Sequence, residues 1–276
     1  MFTLNCKGKL WVVDKPLVMG IINLTPDSFY AGSRFNNTDT VLKQAEKMLY
    51  EEADILDLGA QSTRPGSERI TADEELFRVI PALEAIVKKF PKTIISVDTY
   101  YSKVAKQAVE TGASIINDIS GGSMDAAMAK TIASLNVPYI LMHMKGEPGT
   151  MQKNPQYENV TREILDYFIS RIAALRNAGI LDIIIDPGFG FGKTIDHNFE
   201  ILKNLSLFKI LELPILTGLS RKSSVYKTLG VSANDSLNGT TVMHTIALLN
   251  GANILRVHDV KEAREAIKLV DRYTHN

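Results

Sequence analysis

Nine residues with chemically capable side chains share one placement in this sequence. Asn23, Asp57, Asp98, Asn117, Asp118, His143, Asp186, Arg256 and His258 each close, or lie within a few residues of the end of, a short apolar run. A further run, 214–219, ends at Gly218 and leads directly to Ser220, Arg221 and Lys222. Any one of these has an ordinary reading, because Asp and Asn form turns and cap helices wherever strands stop. Recurrence on every run points further. If the runs are parallel strands, their ends converge, and so does the chemistry.

Three stretches carry more detail. The segment IIDPGFGFGKT (184–194) invites two nucleotide-binding readings and fits neither. The dinucleotide fingerprint needs G-x-G-x-x-G, but Gly188, Gly190 and Gly192 alternate and position 193 is Lys. A phosphate loop needs glycine five residues before Gly192, where the chain has Pro187, which offers no N–H. The alternating glycines suggest backbone lying close under a flat ligand, with Phe189 or Phe191 to pack on it. Asp186, at the end of an apolar strand, is expected to be partly desolvated and in want of paired donors. A planar heterocycle with an N–H beside an amino group would satisfy both carboxylate oxygens. Capping of the next loop is the plainer role.

GLSRKSS (218–224) sets Lys222 at a helix start, where a cation opposes the helix dipole unless a ligand carbonyl or phosphate compensates. Arg256 and His258 alternate with Leu255 and Val257, so both project to one side of a strand. On the mouth side they would form a cationic pair for an anion; on the outer side, an ordinary surface pair. The five histidines are dispersed without zinc spacing. Mg²⁺ asks little of the protein when phosphates are present, and Asn23 is a suitable neutral oxygen ligand.

The runs that must position these residues are 17–22, 54–59, 93–98, 113–118, 137–143, 181–186, 214–219 and 252–258. They are short, continuous and rich in Ile, Val and Leu, as strands buried on both faces are. Amphipathic stretches predict helices over 38–53, 72–90, 101–111, 125–135, 157–178, 196–211, 221–229 and 235–250. Thr38 and Asp39 offer one helix start, and Thr71 with Glu74 forms a capping-box pattern at another. Gly112, Gly179 and Gly251 stand where helices should stop. Residues 3–13 read as a hairpin turning at Gly8. Eight strands alternating with helices predict an α/β fold, a (β/α)₈ TIM barrel with a short N-terminal β-hairpin in residues 1–15, spanning 1–276 as one domain. A doubly wound sheet is the competing arrangement.

Composition narrows the function classes. With 276 residues, 31 basic and 31 acidic, the formal net charge is zero, which argues against a nucleic-acid or anionic-membrane footprint. The lone Cys6 excludes a disulfide framework. No apolar run approaches the ~20 residues that span a bilayer, and charges break up the N-terminus before a signal sequence forms. A cytoplasmic protein is expected.

Taken together, MGIINLTPDSF (19–29), LDLGAQSTRPG (56–66), ISVDTY (95–100), IINDISGG (115–122), LMHM (141–144), IIDPGFGFGK (184–193), TGLSRKS (217–223) and RVHDV (256–260) closely resemble the dihydropteroate synthase family of pterin-binding barrels. The resemblance implies condensation of 6-hydroxymethyl-7,8-dihydropterin diphosphate with p-aminobenzoate, giving dihydropteroate and diphosphate for folate synthesis. It implies that Asp98, Asn117, Asp186 and Lys222 bind the pterin, with Met142 in the matching LMHM motif among the substrate contacts. Arg256 would lie against the pterin face and, with Asn23 and His258, hold diphosphate and Mg²⁺. Thr63 and Arg64 would close over the reacting end, and Ser220 with Phe191 would shape the p-aminobenzoate pocket. The resemblance implies that diphosphate departs first, leaving a pterin methylene cation near Asp98. It also implies a homodimer, for which the helix over 235–250 is a candidate interface.

One departure stands out. Family members often read DSFSDGG where this chain reads DSFYAGS (27–33), so Ala31 replaces an Asp and Tyr30 adds a ring. Asp27, Tyr30 or Arg34 would have to take over any loop-ordering role. Two other readings keep a pterin site: a methyltransferase using methyltetrahydrofolate, and a non-catalytic pterin-binding module. Neither needs the Ser-Thr-Arg loop together with the Arg-Val-His pair.

Overall fold

A computed structural model describes residues 1–24, 34–61, 69–147 and 149–275, with residues 34–37 described by backbone alone. Strands β1 (Phe2–Cys6) and β2 (Lys9–Val13) pair antiparallel, from Phe2↔Val13 to Cys6↔Lys9. Lys7 and Gly8 between them both have positive φ, 55° and 80°, which matches a two-residue turn to the twist of its strands.

Eight parallel strands follow. They are β3 (Leu17–Asn23), β4 (Ile55–Gly59), β5 (Ile94–Asp98), β6 (Ile115–Asp118), β7 (Tyr139–Met142), β8 (Ile183–Asp186), β9 (Leu216–Thr217) and β10 (Ile254–Val257). Hydrogen bonding runs β8-β7-β6-β5-β4-β3-β10-β9. A single parallel bridge, Ile185↔Ile215, joins the two ends into a barrel, with the Ile185 N–H donating to the Pro214 carbonyl at 2.9 Å. β9 is short because Pro214 has no N–H to give. The Ile215 N–H donates instead to the side-chain oxygen of Asn253 at 2.9 Å.

The helices are α1 (Arg34–Tyr50), α2 (Ala72–Lys89), α3 (Ser102–Thr111), α4 (Met128–Leu135), α5 (Val160–Asn177), α6 (Ile195–Lys203), α7 (Ser223–Leu229), α8 (Leu237–Leu249) and α9 (Val260–Thr274). The α2 capping box is present: Thr71 Oγ1 accepts from the Glu74 N–H, and Glu74 Oε2 accepts from the Thr71 N–H. Gly112 caps α3, and Gly179 and Gly251 follow the ends of α5 and α8 with positive φ.

Three expectations change. α1 begins a turn before Thr38 and Asp39; extending the helix satisfies the same amide groups that a cap at those residues would have served. The stretch 196–211 divides into α6 and a 3₁₀ segment, Leu205–Leu211, whose buried Leu205 and Phe208 follow a three-residue period. α9, not among the predicted stretches, closes the barrel wall by burying Val260, Ala263, Ala266 and Ile267.

Each barrel strand sorts its side chains with period two. Val18, Ile22, Leu56, Leu58, Val97, Leu141, Ile185 and Val257 pack outward under the helices. Leu17, Met19, Ile55, Ile115, Ile140, Ile184, Leu216 and Ile254 fill the interior and meet Leu4, Cys6 and Val13 of the hairpin. The N-terminal end of the barrel is thus plugged with hydrocarbon. Several of the next inward positions toward the other end are polar (Asp57, Asn117, Asp186 and Arg256), and the site lies there.

Candidate functional site

The inward residues at the strand ends converge. Asp98, Asn117, Met142, Asp186, Gly218, Lys222 and Arg256, with Ile119, Phe189 and Phe191, line one cleft of about 390 Å³ counted to its open mouth. Ten residues from different strands and loops meet there because parallel strands present their C-terminal ends on one face.

Arg256 organises one wall. Its Nε donates to Asp57 Oδ2 at 2.6 Å and its Nη2 to Asp98 Oδ2 at 2.7 Å. Asn117 Nδ2 donates to the same Asp57 oxygen at 3.2 Å. Asp57 is fully buried, and its Oδ1 has no hydrogen-bond partner. Burial pushes the Asp98 carboxyl up to about 7 against the pull of Arg256, and the Asp57 charge adds to the rise. For Arg256, burial disfavours the cation but Asp57 and Asp98 outweigh it, so its pKa rises above the ordinary value.

Opposite stands Asp186, 5% exposed. Its Oδ1 accepts from the Gly188 N–H at 2.8 Å, which fixes the carboxylate plane. Burial raises its pKa, opposed by that hydrogen bond and by Lys222 and Arg256. Lys222 is the N-cap residue of α7, and its ammonium lies 4.4 Å from the centre of the Phe191 ring. Burial, then the Arg256 charge, lower its pKa to about 8. The cleft therefore holds unused hydrogen-bonding capacity: among the described residues, Asp186 Oδ2, Asn117 Oδ1 and Lys222 Nζ have no hydrogen-bond partner. Two acceptors and one donor face a space walled by Met142, Phe189 and Phe191.

At the rim, Ser220 Oγ lies 3.0 Å from His258 Nδ1 and accepts from the His258 N–H at 3.2 Å. Packing around the imidazole, then Arg256, lowers its pKa to about 4. The residue sits exposed at the rim, where the neighbouring Arg256 opposes its protonation, so Arg256 is the one permanent cation of the expected pair. Asn23, half-buried, ends β3 beside Gly59 of β4. Among the described residues no three His, Cys, Asp or Glu cluster to hold a metal, so the donors present suit only an ion whose other ligands are phosphate oxygens and water.

Two strand-end residues face elsewhere. Asp118 accepts from Ser120 Oγ, Tyr139 Oη and the Ser120 and Gly122 N–H groups, all within 3.0 Å, and is spent on its own loop. His143 is buried and bound to Lys193. Two of the three alternating glycines also serve a different purpose from the expected ligand floor. A Cβ on Gly188 or Gly192 would sit 2.0 Å from the His143 carbonyl or 2.2 Å from that of Lys145; only Gly190 faces Lys222. The close approach is to protein backbone. Thr63, Arg64, Asp27, Tyr30 and Ala31 lie outside the described residues, as does the Arg34 side chain.

Residues 19–258 match the family described as pterin binding enzyme. The dihydropteroate synthase of Escherichia coli K12 is 44% identical over 270 residues, covering 97% of this chain and 95% of the relative. The chain belongs to the dihydropteroate synthase family. Among solved structures, Yersinia pestis dihydropteroate synthase with a sulfonamide drug complex superposes with a TM-score of 0.93 at 39% identity, covering 100% of both chains. The Xanthomonas albilineans enzyme in complex with 7,8-dihydropteroate gives 0.89 at 34% identity, also over the full length of both. These matches bear out the barrel with its hairpin and the dihydropteroate synthase resemblance.

Sequence reasoning overlooked three buried charges around this dihydropteroate synthase cleft. Asp57 is noted there only as a strand-end residue, yet it anchors Arg256. Lys193 looks like the end of a failed phosphate loop, but its ammonium is enclosed. Glu75, in the first turn of α2, is fully buried, with neither carboxylate oxygen hydrogen-bonded. Burial raises it to about 7, opposed first by Thr99, with the charge of Asp98 adding a smaller rise. Inward placement on β4 was a usable signal for Asp57. For the other two, the sequence shows only charged residues in polar stretches.

Proposed function

We propose that this protein is a dihydropteroate synthase, condensing 6-hydroxymethyl-7,8-dihydropterin diphosphate with p-aminobenzoate to give 7,8-dihydropteroate and diphosphate, with residues 1–276 acting as one catalytic unit. The observation that carries the reading is the unused acceptor–acceptor–donor set in the cleft. A pterin offers a 2-amino group and an N3–H to Asp186 Oδ2 and Asn117 Oδ1, and a 4-carbonyl to Lys222. Met142, Phe189 and Phe191 supply apolar contact to the pterin, and Arg256, held between Asp57 and Asp98, stacks against its face.

The reaction follows from this placement. The C–O bond to the diphosphate breaks, and the diphosphate leaves with the bonding pair. Arg256, His258 and Ser220 lie toward that end, to which the family resemblance also assigns Thr63 and Arg64. Arrival of an anion raises the His258 pKa and lets the ring take up a proton. Asp98, whose negative charge Arg256 favours, faces the methylene carbon as positive charge develops. The aniline nitrogen of p-aminobenzoate, placed by Ser220 and Phe191, then attacks and loses a proton to water. Aniline is unprotonated near neutral pH, so the protein's work is positioning and charge stabilisation. Asn23 would hold a Mg²⁺ ion arriving with the diphosphate, and that ion would supply charge neutralisation to the leaving group.

On α8, Val242, Ile246 and Leu249 are exposed at spacings of four and three residues, an apolar stripe that suits a homodimer contact. No helix among the described residues is long and apolar enough to cross a membrane.

The deciding experiment is a coupled diphosphate-release assay with both substrates. Release that depends on p-aminobenzoate supports the reading; none, alongside an active folate-pathway control, sinks it. Transfer of a methyl group from methyltetrahydrofolate instead would support the methyltransferase alternative.

A further inference from the structure

Lys193 is an amine sealed inside the protein, its pKa pulled down to about 7 by burial against the charge of Asp186. It is 3% exposed, and no carboxylate of the described residues lies within ion-pair distance of it. Burying an ammonium without a counter-ion costs several kcal/mol even after relaxation. An apolar side chain of the same length would fill the volume without that cost, so the reason for the charge lies in what it holds.

It holds the loop between β8 and α6. Nζ lies 2.9 Å from the Gly188 carbonyl, 3.0 Å from the Phe191 carbonyl, 3.2 Å from the His143 carbonyl and 3.0 Å from His143 Nδ1. In the protonated form its three N–H groups serve four acceptors. Positive φ at Gly188, Gly190 and Gly192 curls the loop so that carbonyls turn inward onto the ammonium. Burial, then Lys193 itself, drives the His143 pKa down to about 2, which leaves the imidazole neutral and Nδ1 free to accept.

We propose that Lys193 is a positioning residue of the pterin site, fixing the Asp186 carboxylate at one end of the loop and the Phe191–Lys222 pair at the other. The links are direct. Lys193 holds the Gly188 carbonyl, and the Gly188 N–H holds Asp186 Oδ1 at 2.8 Å. Lys193 also holds the Phe191 carbonyl, and the Phe191 ring carries the Lys222 ammonium at 4.4 Å. Two of the three polar partners of the heterocycle, Asp186 and Lys222, are therefore referenced to one buried amine that never touches the ligand. The inference rests on the pterin-binding reading above.

The test compares Lys193→Met, Lys193→Gln and Tyr157→Phe with the wild type. Tyr157 Oη donates to the Gly192 carbonyl at 3.0 Å, so its loss loosens the same loop outside the two linked positions. For Lys193→Met, the expected result is a rise of about tenfold in KM for the pterin diphosphate and in Kd for 7,8-dihydropterin by calorimetry, with kcat changed less than about threefold. Lys193→Gln, which keeps two N–H donors, recovers part of the loss, and Tyr157→Phe leaves Kd unchanged. Unchanged dihydropterin affinity in Lys193→Met overturns the proposal, as does an equal loss in Tyr157→Phe. If Lys193→Met does not fold, unchanged affinity in Lys193→Gln overturns it instead. A wild type that binds 7,8-dihydropterin but releases no diphosphate refutes the proposed activity while leaving the calorimetric comparison to judge Lys193.

Discussion

Replacing Arg256 by Met tests the electrostatic core of the site. The guanidinium makes two charge-assisted hydrogen bonds, to Asp57 at 2.6 Å and Asp98 at 2.7 Å. Each is worth roughly 1.5–3 kcal/mol, and removing one partner of a buried ionic cluster typically costs about 3–5 kcal/mol because charge is left uncompensated. The variant keeps the volume and loses only the cation. Its carboxylates can escape by taking up a proton, so the cost must depend on pH. Asp98 sits at about 7 with Arg256 present, and loss of the cation pushes it higher. A carboxyl whose folded pKa exceeds its unfolded value binds more protons when folded, and stability falls as pH rises through that interval. The penalty of Arg256→Met therefore opens above pH 7, where the wild-type carboxylate is ionised and the variant's is not. Urea unfolding of the ligand-free proteins should give a loss of about 3–5 kcal/mol at pH 8.5, and at least ~1 kcal/mol less at pH 5.5. A loss under ~1 kcal/mol at pH 8.5, or equal losses at both pH values, would refute the reasoning.

Three further outcomes are expected. Glu75→Gln should remove a pH dependence: the carboxyl, raised from 4.5 to about 7 by burial, weakens the fold as pH climbs through that range. The variant should be more stable at pH 8 by up to about 3 kcal/mol and unchanged at pH 4, read by denaturant melts. Gly188→Ala places a methyl 2.0 Å from the His143 carbonyl at a φ of +71°; a thermal midpoint equal to that of the wild type would contradict this. Lys222→Ala should weaken 7,8-dihydropterin binding more than about tenfold, or ~1.4 kcal/mol, by calorimetry.

Much of the site was legible because barrel strands carry their chemistry in a position the sequence marks. Asn23, Asp98, Asn117, Asp186 and Arg256 each follow an apolar run, and the structure brings four of them into one cleft, with Asn23 ending β3. The same rule named Asp118 and His143, which turn away, because adjacent residues at a strand end point to opposite faces. Asp118 neighbours the inward Asn117, and His143 the inward Met142. The extent of β9 was not legible, since its pairing depends on Asn253, 38 residues distant.

The sequence by itself determined the alternation of strands and helices, the hairpin turn at Lys7–Gly8, the α2 capping box and the family. Each is a matter of local periodicity, backbone preference or motif order. Tertiary structure alone decided which charges meet. Arg256 reaches Asp57 across 199 residues, and Lys193 reaches His143 across 50. Whether His258 is charged, whether Asp98 titrates near 7, and whether the glycines face a ligand or a carbonyl follow from burial and neighbours. Ionisation and hydrogen bonding respond to what lies within a few ångströms, and sequence separation says nothing about that distance until the barrel closes.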